Sequence, residues 1–115
     1  MVGHAAAAWR TVCEAEEVCL AAVDTAGLSQ AECANLLRRL ARAISLCGRH
    51  DPRLAARAVA PAQRAARIYR TLADQPGTHL GRHIDLRRAV TTLSWVLERV
   101  GRHADAVDAQ RRRGA

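Results

Sequence analysis

Apolar positions in this chain recur at intervals of three and four, the spacing of one helix face. Twice such a run closes on the same tripeptide. Leu37-x2-Leu40-x3-Ile44-x3-Gly48-Arg49-His50 is matched further on by Val90-x2-Leu93-x3-Leu97-x3-Gly101-Arg102-His103. More helix-prone sequence follows each copy. Sustained period-2 alternation is missing, and no hairpin turn separates β-branched runs, so no strand is expected.

Turn residues divide the chain into about five predicted helices. The first covers about 5–23 and stops near Gly27, a suitable residue for a helix C-terminus. Ser29 and Glu32 have the spacing of a capping box and open the second, which ends at Gly48. Asp51-Pro52 is an N-cap followed by proline at the first helical position, opening the third. Pro61 lies inside that helix and predicts a kink, or else a split into two shorter helices. Asp74-Gln75-Pro76-Gly77 ends it, and Thr78 can cap the fourth, which runs to Val100. A short fifth helix covers about 104–111, before an Arg-Arg-Arg-Gly-Ala tail expected to fray. The expected fold is therefore all-α: one domain of antiparallel helical hairpins over 1–115. It divides into an N-terminal helix to about 28, a first hairpin over 29–75 and a second over 78–112. Met1 and the tail suggest a complete small protein.

The second and fourth predicted helices differ in how many faces they bury. The second collects Cys33, Leu36, Leu37, Leu40, Ile44 and Cys47 on one side and Arg38, Arg39 and Arg42 on the other. This is ordinary amphipathicity. The fourth has one stripe of Leu86, Val90, Leu93, Leu97 and Val100, with Ile84, Thr91 and Trp95 nearly opposite. Two apolar faces predict a helix between neighbours, with Trp95 against the first helix or against another chain.

The residues of the second copy resemble the tetratricopeptide repeat (TPR) family. Val90, Leu93, Ser94, Leu97, Gly101 and Ala106 fall at the spacings of that repeat, with Ser94 where close packing needs a small side chain. Ile68-Tyr69-Arg70-Thr71-Leu72-Ala73, then Pro76, looks like the end of a longer TPR-like repeat common in actinobacterial proteins. The first copy fits at Leu37, Leu40, Ala41, Ile44 and Gly48, but Arg53 stands at the small-residue position after the turn. The two glycines are also 53 residues apart, against a usual period of about 34. The resemblance covers about 30–110 and implies a short solenoid or bundle: a protein-interaction scaffold with a groove lined by the first helix of each repeat. It supplies no catalytic residue and no cofactor.

Composition adds the nature of the partner. Half of the 115 residues are hydrophobic, yet there is no Phe, one Tyr and two Trp, so Ala, Leu and Val must fill the core. All 18 basic residues are arginine. Residues 1–35 hold Arg10 against five acids, a net charge of −4; residues 36–115 hold 17 arginines against six acids, a net of +11. This asymmetry favours an acidic partner surface or peptide, or a homodimer pairing acidic front with basic back. Aromatic residues for base stacking are missing and no DNA-binding motif is present, which disfavours sequence-specific nucleic-acid recognition and leaves sequence-independent binding through the Arg-rich face as a further alternative. No segment reaches the ~18 apolar residues of a membrane span, and no signal-peptide core is present, so a cytoplasmic location is expected. Cys13, Cys19, Cys33 and Cys47 lack CxxC spacing and are expected as free thiols packed as small hydrophobes.

Three constellations carry candidate chemistry. Arg53, Arg57, Arg64 and Arg67 share a sector of the third helix and could grip phosphates or an acidic peptide. The competing reading is a solvated face, or one paired with the acidic first helix. Glu16 projects among Trp9, Val12, Cys19, Leu20 and Val23. A carboxylate placed there either pairs with an arginine or, with a histidine in an inter-helix pocket, serves acid–base chemistry in a small helical enzyme. His79 and His83 could present one face to a metal, but two further ligands would be needed, and exposure at a helix start is the plainer reading. The residues expected to bind a partner are Arg38, Arg42, Arg57, Arg64 and Trp95.

Overall fold

The computed structural model describes residues 2–25 and 27–112. Among them are six helices and no strand: α1 (Val2–Thr25), α2 (Gln30–Cys47), α3 (Pro52–Ala56), α4 (Val59–Ala73), α5 (Leu80–Arg99) and α6 (His103–Arg112). The protein is all-α, as the periodicity predicts. The expected fraying of the tail beyond Arg112 lies outside the described residues.

The sixth helix comes from Pro61. The chain splits rather than kinks: Arg57 and Ala58 donate to the carbonyls of Leu54 and Ala55 in a tight turn, and α4 then starts afresh. Pro61 is thereby the third residue of α4. The first N–H groups of a helix have no intrahelical acceptor, so its missing donor costs nothing there.

Helix ends account for most of the remaining boundaries. Ser29 and Glu32 form the full capping box: the Ser29 hydroxyl accepts from the Glu32 amide, and the Glu32 carboxylate accepts from the Ser29 amide. Thr78 behaves differently from expectation. Its hydroxyl donates to the Leu72 and Gln75 carbonyls, closing the end of α4, and His79 becomes the N-cap of α5 with no side-chain bond.

The helices stack in two layers. Val23 near the end of α1 accepts from Cys33 near the start of α2, and Trp9 near the start of α1 reaches Asp51 beyond the end of α2. The two are therefore antiparallel. Ion pairs from α1 run onto Arg57 and onto Arg64 of α4, and Arg70 of α4 reaches the carbonyl of Arg112 in α6. Thus α1, α3–α4 and α6 lie side by side in one layer, with α2 and α5 in the other. The described residues span 52 × 35 × 15 Å. Two helix layers about 8–10 Å apart, plus a Cα radius of ~2.3 Å on each side, give that 15 Å thickness.

The core lies between the layers in two patches bridged by Leu93. One joins Val12, Leu40, Ile44, Leu54, Val96 and Leu97; the other joins Tyr69, Leu86 and Val90 to several alanines. Ala34, Ala41, Ala58, Ala62, Ala65 and Ala89 are all buried, so helices approach closely where aromatic bulk is scarce. Cys33 is buried as expected, but Cys47 is exposed despite sharing its stripe, and so is Cys13.

The two Gly-Arg-His turns have different lengths. After Gly101, α6 begins two residues on, at His103; after Gly48, α3 begins four residues on, at Pro52. The small residue packed on the preceding helix is Ala106 in one case, its carbonyl accepting from Ser94, and Ala55 in the other, its backbone against Gly48. Each is the fourth residue of its helix and donates its amide to the residue preceding that helix, Arg102 or Asp51. Arg53 is exposed. The longer turn carries it past the contact that its spacing from Gly48 had assigned to it.

Candidate interaction surfaces

The arginine sector of the third predicted helix is divided among neighbours. The Arg57 Nε lies 2.7 Å from Glu16 Oε1, and its guanidinium stacks 5.6 Å from the centre of the Trp9 ring. The bond that Arg57 donates to Glu16, and the negative charge of that carboxylate, hold Arg57 above the ordinary arginine range. Arg64 lies 3.5 Å from Asp24. Both acids belong to α1, so the acidic front of the chain lies on the basic back of the same chain. Such pairs are solvent-exposed and each contributes little, roughly 0–1 kcal/mol. Arg53 and Arg67 are exposed and form no ion pair among the described residues.

Glu16 is thereby matched with a cation. The described histidine side chains, His50, His79, His83 and His103, are all exposed. His79 precedes α5 while His83 lies within it, and the His103 ring sits 3.3 Å from Glu98. Among the described residues no group of three or more His, Cys, Asp or Glu is placed to hold a metal ion.

Arg38, Arg42 and Trp95 lie on the other layer. At about 100° per residue, Asn35, Arg38, Arg39, Arg42 and Leu46 share the outer side of α2. By the same geometry Ile84, Arg88, Thr91, Trp95 and Arg99 share the outer side of α5. A groove of about 330 Å³ runs between the helices, lined by Arg42, Leu46, Thr91, Thr92 and Trp95. Trp95 rests its inner part on the core patch containing Ile44 and Val96 and leaves the rest half-exposed, with the Arg99 guanidinium 4.8 Å from its ring centre. The second apolar face of α5 is therefore an open surface, with Ile84 42% exposed, and Leu46 of α2 beside the groove is 51% exposed.

Charge separates this surface from the opposite layer. Arg38 donates to Asn35, and Arg39, Arg42, Arg88 and Arg99 have no carboxylate within ion-pair distance among the described residues. Position in sequence could not sort the arginines in this way. The division depends on where α1 lies, and α1 is placed by Val12, by Trp9 on Asp51 and by the two ion pairs. Asp51 is also the residue that sequence reasoning undervalued: one carboxylate oxygen caps α3 through the amides of Arg53 and Leu54, and the other accepts from the Trp9 indole at 2.9 Å.

Among the described residues, no helix is long and apolar enough to cross a membrane. No protein-family model matches the chain, and neither a curated protein nor a solved structure shows significant similarity to it.

Proposed function

We propose that the protein is a TPR-like interaction module whose α2–α5 groove takes up an acidic, amphipathic segment of a protein partner. One observation carries this reading: among the described residues the arginines around the groove have no carboxylate partner, whereas Arg57 and Arg64, facing α1, are neutralised within the chain. Leu46 and Trp95 offer apolar anchors in the groove, with Ile84 exposed further along α5, and the cations around them select an acidic ligand and disfavour a basic one. The alternating layers support a repeat-like scaffold. Exposed free thiols at Cys13 and Cys47 suit a reducing, cytoplasmic setting.

A homodimer is a second form of the same reading. On the outer side of α1, Glu14, Glu17, Val18 and Ala21 are exposed at spacings of three and four, Val18 at 70%. That strip has the chemistry the groove selects. Direct pairing of one α2–α5 face with another would instead set arginine against arginine.

The test is selection from a display library of helical peptides, with molar mass from light scattering. Selected peptides are expected to carry Asp or Glu beside apolar residues at i, i+3 and i+4, and to lose at least tenfold in affinity for R42E/R99E. A consensus without acids, or equal binding to the double variant, rejects the groove. Arg57 and Arg64 are poorer probes, since reversing their charge also sets like charges against Glu16 and Asp24.

A further inference from the structure

A second opening lies in the other layer. Helices α4 and α6 run side by side over α5 with a cleft of about 340 Å³ between them. Its floor is apolar: Leu93 and Leu97 from α5, flanked by Ala66 of α4 and Ala109 of α6. Its rim is cationic. Arg67 and Arg70 stand on the α4 side and Arg112 on the α6 side.

The charges on this rim do not cancel. Arg102 is occupied by Asp105, with Nε 2.8 Å from the carboxylate. Among the described residues, Asp108 is then the remaining carboxylate, against Arg67, Arg70 and Arg112. One Arg70 nitrogen donates to the Arg112 carbonyl at 3.0 Å. That bond spans the cleft and fixes the guanidinium plane while leaving its other N–H groups available. A fixed planar fork suits a carboxylate or phosphate, which it can engage through two parallel bonds. Arg64 and Arg70 project about 120° apart on α4, which is why one faces α1 and the other this cleft.

We propose that the α4–α6 cleft is a binding site for a small organic anion with an apolar body. The anionic group sits between Arg67 and Arg70, and the body lies on Leu93 and Leu97. The cleft is more than twice the ~150 Å³ cavity that accommodates benzene in an engineered protein, so a two-ring or medium-chain body fits. The site is separate from the α2–α5 groove and does not depend on it.

The test is calorimetric titration of the full chain with 2-naphthoate, 2-naphthyl phosphate and the neutral naphthalene-2-methanol. At least one anion is expected to bind one-to-one and the alcohol at least tenfold more weakly. R67Q/R70Q is expected to weaken the anion at least tenfold. These side chains lie on the rim, so the variant should keep the helical circular dichroism of the parent. R42Q, in the other layer, should bind as the parent does. Absence of saturable binding by both anions overturns the proposal. So does equal binding of the alcohol, an undiminished affinity in R67Q/R70Q, or an equal loss in R42Q. If R67Q/R70Q does not fold, the single exposed-rim variant R67Q replaces it: a loss of affinity for 2-naphthoate of at least fivefold supports the site, and unchanged affinity overturns it.

Discussion

The two Gly-Arg-His turns share a tripeptide and require glycine for different reasons. Gly101 adopts φ +80°, in the left-handed region, with open space where a side chain would point. The Arg102 amide reaches the Leu97 carbonyl and the Gly101 amide reaches Glu98, the paired bonds of a Schellman motif. Gly48 has an ordinary φ of −95°. There a Cβ would stand 2.6 Å from the backbone nitrogen of Ala55 and 2.9 Å from its Cα. One glycine serves a backbone conformation and the other a close approach of two helices. The same letter in two aligned copies therefore does not imply the same constraint.

The contrast predicts a ranked series of effects. Gly48→Ala should be the most costly, at about 2–4 kcal/mol, because main chain cannot rotate away as a side chain does. Chemical denaturation followed by circular dichroism measures it. Adding Ala55→Gly should not restore stability, since the clash involves backbone atoms; recovery in the double variant would show that the approach is set by side chains. Asp51→Ala comes next, at about 2 kcal/mol, combining a lost cap with a lost partner for the Trp9 indole. Its signature is a shift in tryptophan emission, which Gly101→Ala should not produce. Gly101→Ala should cost about 1 kcal/mol, the penalty of a left-handed Ala. A loss at Gly101 equal to that at Gly48 would erase the distinction between the turns.

The smallest effect concerns the opposite ends of the paired helices. At α2 the amide and hydroxyl of Ser29 hold the Glu32 carboxyl below its usual range, while α5 has no side-chain cap. A depressed carboxyl stabilises the fold above its unfolded pKa, and that contribution disappears as the pH falls through the folded value. Glu32→Gln should therefore lower stability at neutral and alkaline pH, where the contribution is fully present, and flatten the acid limb, so that variant and parent converge at low pH. An unaltered acid limb would mean that the capping box contributes nothing to folding.

Much of this was legible along the chain. The capping box, the glycine stops and the N-cap at Asp51 depend on neighbours within a few residues, and the structure places each where its local chemistry requires. Pro61 left two outcomes open, and the split allows the proline to sit where no donor is needed. The small residue after the first turn was misplaced because the distance from Gly48 was held fixed. In the folded chain the turn is two residues longer, and helix position rather than sequence distance brings Ala55 to the contact. Thr78 was read as a cap because hydroxyl residues favour that place; in the structure α5 starts one residue too late for it, with His79 at the N-cap, and the hydroxyl faces the Leu72 and Gln75 carbonyls instead.

The candidate surfaces were less legible, since a cation's role depends on what lies opposite it. Periodicity determined the helices, their faces and the excess of positive charge, because these follow from spacing and composition alone. Only tertiary structure decided which arginines are matched. Once α1 covers Arg57 and Arg64, the unneutralised charge is left around Trp95 on one layer and around the α4–α6 cleft on the other. Coulomb interactions fall off within about 8 Å at physiological salt, so such matching is a property of proximity in space, which the order of residues does not record.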